Sequence, residues 1–116
     1  MNHQKLKCYV RLIDFAKRIP NLIQMLPRGE AYIIDQLKRA LASAILNLSE
    51  GNGRTSVRER GRFFDIILAS IAEVSSAIDI IAAYRYIPAN LEIQLKSELS
   101  IVYAMIFKLK NSRLLI

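Results

Sequence analysis

Apolar residues recur at steps of three and four along nearly the whole chain, the spacing of a buried helical face. In the first segment Leu6, Tyr9, Val10, Ile13 and Ala16 make one stripe, and Leu12, Phe15, Ile19, Leu22 and Leu26 make a second. Pro20 falls inside this pattern, where it removes a backbone hydrogen bond and is expected to kink the helix or end it early. Pro27 and Gly29 then stop it. From Glu30 to Glu50, the positions Ile34, Leu37, Leu41, Ala44 and Leu48 step 3-4-3-4, with Gly51 and Gly53 as the expected C-terminal cap. The third segment opens on Ser56-Val57-Arg58-Glu59, a capping box in which serine and glutamate each satisfy one free amide. Phe64, Ile67, Ile71, Val74, Ile78 and Ile81 then form one stripe, and Phe63, Ile66, Ser70, Glu73, Ala77, Ile80 and Tyr84 a second beside it. The fourth segment follows Pro88, with Asn90 as the expected N-cap and Leu91, Leu95, Leu99, Val102, Ile106 and Leu109 as its face.

The spacing therefore predicts helices over about 5–26, 30–50, 56–86 and 90–111. Four amphipathic segments joined by short loops read as an all-α, antiparallel up-down-up-down four-helix bundle, a single domain over 1–116. The length, 116 residues, suits one domain. Met1–Lys7 is polar and carries no secretory pattern. Uncharged stretches such as Leu99–Phe107 and Ala40–Ser49 are shorter than the ~20 residues that span a bilayer. A cytoplasmic protein without a membrane role is expected.

Scarcity of chemistry narrows the function. Cys8 is the one cysteine and His3 the one histidine. A single chain so composed has no disulfide framework, no zinc site and no Cys-His or Ser-His-Asp constellation. No metal, no cofactor and no enzymatic activity are expected. One possible exception lies on the second helix, where Gln36, Ala40, Ser43, Asn47 and Glu50 form a small and polar line. Ser70 and Glu73 answer it on the third. A catalytic carboxylate pair, Glu50 with Glu73, is one reading; a satisfied hydrogen-bond network that sets helix register is the other, and the favoured one.

Charge points outward instead. Seventeen Lys and Arg against ten Asp and Glu leave a net +7, and such a surface draws polyanions. Lys38 and Arg39, with the run Arg54, Arg58, Arg60 and Arg62, hold six of these cations and are the candidate nucleic-acid contacts. Arg58 and Arg62 stand at i,i+4 and repel, so an acidic partner is expected: a phosphate backbone, or Asp35, Glu30 or Asp65 within the fold. Lys5, Lys7, Arg11, Lys17 and Arg18 are a weaker group, spread around their helix. No RRM signature or interleaved aromatic pattern is present, so binding would be mainly to phosphates and salt-sensitive.

The segments Gln36-Leu37-Lys38-Arg39-Ala40, Ser43, Asn47-Leu48-Ser49-Glu50-Gly51-Asn52-Gly53-Arg54, Arg62-Phe63-Phe64 and Ser70-x-x-Glu73 together resemble the bacterial family of 23S rRNA intervening-sequence proteins. The family pattern runs roughly Q-L-R-R-A, S, N-I-A-E-G-x-G-R, R-F and A-x-G-S-x-x-E. Lys38, Ser49, Ile67 and Ala69 depart from it. The resemblance implies a four-helix bundle assembling into a ring, a homopentamer. It also marks Gln36, Ser43, Asn47, Glu50, Gly51, Gly53, Ser70 and Glu73 as signature positions of structural character. A related branch, the accessory proteins of diversity-generating retroelements, binds nucleic acid and a reverse transcriptase. Two functions are thus expected: a non-enzymatic oligomer binding RNA or DNA, or a scaffold subunit docking an acidic protein partner such as a reverse transcriptase.

Overall fold

Four helices form where the three-and-four spacing places them. In the computed structural model, which describes residues 1–51 and 57–112, they are α1 (His3–Gln24), α2 (Ala31–Gly51), α3 (Val57–Ala83) and α4 (Ala89–Lys110). Their ends are set by local chemistry. The Asn2 side chain accepts the Lys5 N–H at 2.9 Å and starts α1. Gly29, at φ +93°, makes the turn into α2 with a backbone that other residues rarely adopt.

Two local expectations are corrected, and one of the two outcomes expected of Pro20 is excluded: α1 does not end there but runs four residues further, to Gln24, close to the expected span of about 5–26. Pro20 is exposed, and the helix continues past the one backbone bond that it removes. Asn90 is not the N-cap of α4. Pro88 caps it with no side-chain bond, its fixed φ of −73° suiting the entry, and its carbonyl accepts from Leu91 and Glu92 at 3.1 and 3.2 Å. α2 extends through Gly51, which is thus its last residue rather than the residue beyond it. Gly53, Arg54 and Ser56, the remaining members of the expected cap, basic run and capping box, lie outside the described residues.

Each helix packs on two neighbours in a closed square, α1 on α2, α2 on α3, α3 on α4 and α4 on α1. Short loops make successive helices antiparallel, and the cross-links keep that register. Lys96 Nζ donates to Asp79 at 2.6 Å, Lys110 pairs with Asp65 at 2.5 Å, and Arg18 bonds Glu98. The molecule measures 46 × 23 × 19 Å.

The core is built mainly on one seam per helix. On α2 it is Leu37, Leu41, Ala44 and Leu48, with Ile33 buried at its start where Ile34 was expected and Ala40 buried beside it; on α3, Phe64, Ile67, Ile71, Val74, Ile78 and Ile81, with Leu68 beside it; on α4, Leu95, Leu99, Val102, Ile106 and Leu109. On α1 the seam is Cys8, Leu12, Phe15, Ile19 and Leu22, so the expected companion stripe is the outer one: Leu6 and Val10 are exposed. The second stripe of α3 is likewise split. Ser70 and Ala77 are buried, whereas Ile66, Ile80 and Tyr84 face solvent. By length and composition α3 is apolar enough to cross a bilayer. Here its most apolar seam is instead shared with α2 and α4.

Candidate nucleic-acid interface

Antiparallel packing decides which cations meet. The start of α1, the end of α2, the start of α3 and the end of α4 share one end of the bundle. Divide each helix at its midpoint. The half at that end holds Lys5, Lys7, Arg11, Arg58, Arg60, Arg62, Lys108 and Lys110, eight cations, against Glu50, Glu59 and Asp65. The other half, with the loop residues Arg28, Glu30 and Arg85 that join its helices, holds seven Lys and Arg and seven Asp and Glu. Among the described residues the positive surplus therefore lies wholly on one half. The α3 N-terminus, the positive end of its dipole, lies there too.

Of the six cations singled out in the sequence, Arg58, Arg60 and Arg62 stand together at this end, Arg58 and Arg62 exposed and Arg60 half-buried. Lys38 and Arg39 do not join them. Ser43 of α2 meets Ser70 of α3, which puts Arg39 level with about Val74, roughly 18 Å up the axis from Arg62 at 1.5 Å per residue. Arg39 is held by Asp35 at 2.7 Å, and Lys38 lines a groove of about 530 Å³ between α1 and α2 with Ala16, Ile19, Leu41 and Ile45. Arg54 lies outside the described residues. The acids considered as internal partners are engaged elsewhere: Asp65 with Lys110, Asp35 with Arg39, and Glu30 with the Tyr86 hydroxyl at 2.7 Å.

Lys5 is the site residue that sequence reasoning undervalued. The residue is 3% exposed, and its ammonium lies 5.5 Å from the centroid of the Phe64 ring. Burial first, and Arg60 second, hold its pKa below the ordinary lysine value. One signal was available: Lys5 precedes Cys8 by three and Leu12 by seven, so it continues the buried seam.

The polar line resolves into a small network rather than a carboxylate pair. Ser70 Oγ donates to Ser43 Oγ at 2.9 Å, and Asn47 Nδ2 donates to the Ser43 carbonyl at 2.8 Å and its hydroxyl at 3.3 Å. Gln36 is half-buried on the same helix face. Glu50 and Glu73 are both exposed, and the Ser43–Ser70 register sets them roughly 15 Å apart along the axis. Paired glycosidase carboxylates stand within about 10 Å, so these two do not form such a site. Among the described residues no group of three His, Cys, Asp or Glu is placed to hold a metal. The Cys8 thiol, pushed up to about 11 by burial, is a core group and not a nucleophile near neutral pH.

A different face lacks charge. Every exposed residue of α4 from Ala89 to Phe107 is uncharged, with Ile93, Ile101, Tyr103 and Phe107 the large ones. Its Lys96 and Glu98 turn aside to Asp79 and Arg18.

The molecule is thus a four-helix bundle with a basic end and an uncharged flank. The family described as 23S rRNA-intervening sequence protein matches residues 4–108, and the chain belongs to that family. Its fold is similar to the crystal structure, at 1.70 Å, of a protein with unknown function from the S23 ribosomal protein family of Bacteroides thetaiotaomicron. The TM-score is 0.80 at 17% identity, over 90% of this chain and 99% of that one. Comparison with curated proteins gave no match. Neither the family description nor the neighbour's title names a reaction.

Proposed function

We propose that this chain is a non-enzymatic, homo-oligomeric protein that binds the phosphate backbone of RNA or DNA through the basic end of its bundle. The observation that carries this reading is the charge asymmetry among the described residues: eight cations against three acids on one half, and seven against seven on the other. A surface of that kind attracts polyanions through counterion release, with little sequence preference. Arg58, Arg60 and Arg62 are its centre; Lys38 and Arg39 contribute only if assembly brings a neighbouring copy alongside. The α4 flank supports self-association, since Ile93, Ile101, Tyr103 and Phe107 are exposed on it among uncharged neighbours, and exposed apolar side chains favour an interface. A ring, pentameric as the family resemblance implies, would bring five basic ends together.

Filter binding of a structured RNA from low to moderate salt tests the reading, with the oligomer mass measured on the same sample. Affinity should fall steeply with salt, and Arg58→Gln with Arg62→Gln should lower the log–log slope by about two. Absence of binding at low salt overturns it. The second reading, an accessory subunit docking a protein partner, is favoured by the same α4 flank. A protein complex that survives nuclease and is lost on Ile101→Glu would select it.

A further inference from the structure

The turn from α3 into α4 lies at the end of the bundle opposite the basic one, and it reads Tyr84-Arg85-Tyr86. The two rings meet edge to face, their centroids 5.7 Å apart and their planes at 67°. Tyr86 is pinned from another element: its hydroxyl donates at 2.7 Å to Glu30, the residue before α2. Tyr84 is 59% exposed, although the Tyr86 ring backs it. Between them Arg85 is exposed and holds φ 65°. A side chain costs stability at that backbone angle, where glycine carries no steric penalty. A cation does suit a helix C-terminus, but a position in the last turn would serve without strain, and the last turn of α3 holds none. None of the ion pairs among the described residues involves Arg85.

An exposed ring held in place, next to an unpaired guanidinium on a fixed backbone, matches a ligand that has both an aromatic face and an anion. We propose that Tyr84 and Arg85 form a contact for one unpaired nucleotide of a single strand, its base stacked on the Tyr84 ring and its phosphate on the Arg85 guanidinium. Stacking of this kind tolerates any base, because every base has a π-face. Glu30 and Tyr86 hold the platform, so little freedom is lost when a nucleotide arrives. An acidic peptide is matched by the arginine and not by the ring. The inference rests on the nucleic-acid reading above and deepens it, since it adds a base contact at the end that the charge count leaves neutral.

A short oligoadenylate strand and an abasic strand of equal length and charge are each titrated with the full-length chain at low salt. The parent should hold the oligoadenylate about tenfold more tightly. Tyr84→Phe should keep that preference and Tyr84→Leu should lose it. Arg85→Gly, a change that the backbone angle favours, should lower the salt slope for oligoadenylate by about 0.7. Tyr32→Leu is the control, at a tyrosine 77% exposed and without a ring neighbour among the described residues, and should change neither. No binding, equal affinity for the two strands, or a preference that survives Tyr84→Leu overturns the contact. If structured RNA still loses slope in Arg58→Gln with Arg62→Gln, the basic-end reading then stands alone. A preference lost in Tyr84→Leu, with affinity for structured RNA untouched by the Arg58 and Arg62 changes, supports the contact and removes the basic-end reading. A polyglutamate that binds through Arg85 where oligoadenylate does not overturns the contact in favour of an acidic protein.

Discussion

Ser43 of α2 and Ser70 of α3 share a hydrogen bond of 2.9 Å between their hydroxyls, in the middle of the bundle's most closely packed helix pair. Ser70 is 7% exposed, and Asn47 adds a second donor to Ser43. One polar contact among apolar seams favours a single axial register of the two helices, because any slip leaves a hydroxyl buried without its partner.

Ser70→Ala should therefore destabilise the fold by about 1 kcal/mol, read as a lower urea midpoint with an unchanged m-value. Glu50→Gln and Glu73→Gln, at exposed positions, should stay within about 0.5 kcal/mol of the parent. A larger loss at either glutamate than at Ser70 would assign the network to the wrong side chains.

Cys8 is buried and its thiol is pushed up to about 11. Labelling by a thiol reagent at pH 8 should be far slower in the native protein than in urea. The folded state holds this proton more tightly than the unfolded chain, whose thiol titrates near the ordinary value of 9.0. This contribution to stability is therefore complete below pH 9 and declines from there to about 11. Lys5 acts with the opposite sign, since its lowered pKa makes the unfolded state the better proton binder, and stability gains as pH rises toward 10.5. The alkaline decline should therefore steepen in Lys5→Met and flatten in Cys8→Ala.

Arg85 ends α3 with φ 65°, in the left-handed region that favours glycine. Tyr86 N–H reaches back to the Ile81 carbonyl at 3.2 Å and Arg85 N–H to Ala82 at 2.9 Å, the paired bonds of a Schellman stop. Arg85→Gly should stabilise the protein by up to about 1 kcal/mol, measured by thermal melting, because it relieves the side-chain clash that left-handed backbone imposes. Arg85→Val should destabilise it.

The α4 flank gives a separate prediction. Ile101 is exposed in the single chain, so Ile101→Glu should leave helix content unchanged by circular dichroism. If copies meet on this flank, the same change should shift the mass in solution toward the monomer. Ala42→Glu, exposed on α2, is the control.

The helices, their order and most of the core could be read from the chain alone. Burial of an amphipathic face imposes the 3.6-residue period, and Leu95 to Leu109 on α4 or Phe64 to Ile81 on α3 carry it without interruption. Family membership was legible from Gln36 to Glu73 for a similar reason: Ser43, Asn47 and Ser70 are tied to one another by geometry, so their spacing is constrained. Caps were less legible. Asn90 and Pro88 compete for the same short turn, and fixed proline geometry won over side-chain capping.

What periodicity could not say is which of two adjacent apolar stripes faces inward, since Leu6 and Val10 are as apolar as Leu12 and Phe15. Nor could it group charges that lie far apart in sequence. Lys38 and Arg39 look close to the α2–α3 turn in the chain, yet a helix lengthens by 1.5 Å per residue and carries them away. Lys5, Arg60 and Lys108 are remote in sequence, yet antiparallel packing gathers them at one end. The chain by itself determined four helices, a surplus of positive charge and a content of one histidine and one cysteine. Only the tertiary structure decided that the surplus is polar along the bundle and that a lysine closes the core, because both depend on which helix ends are brought side by side.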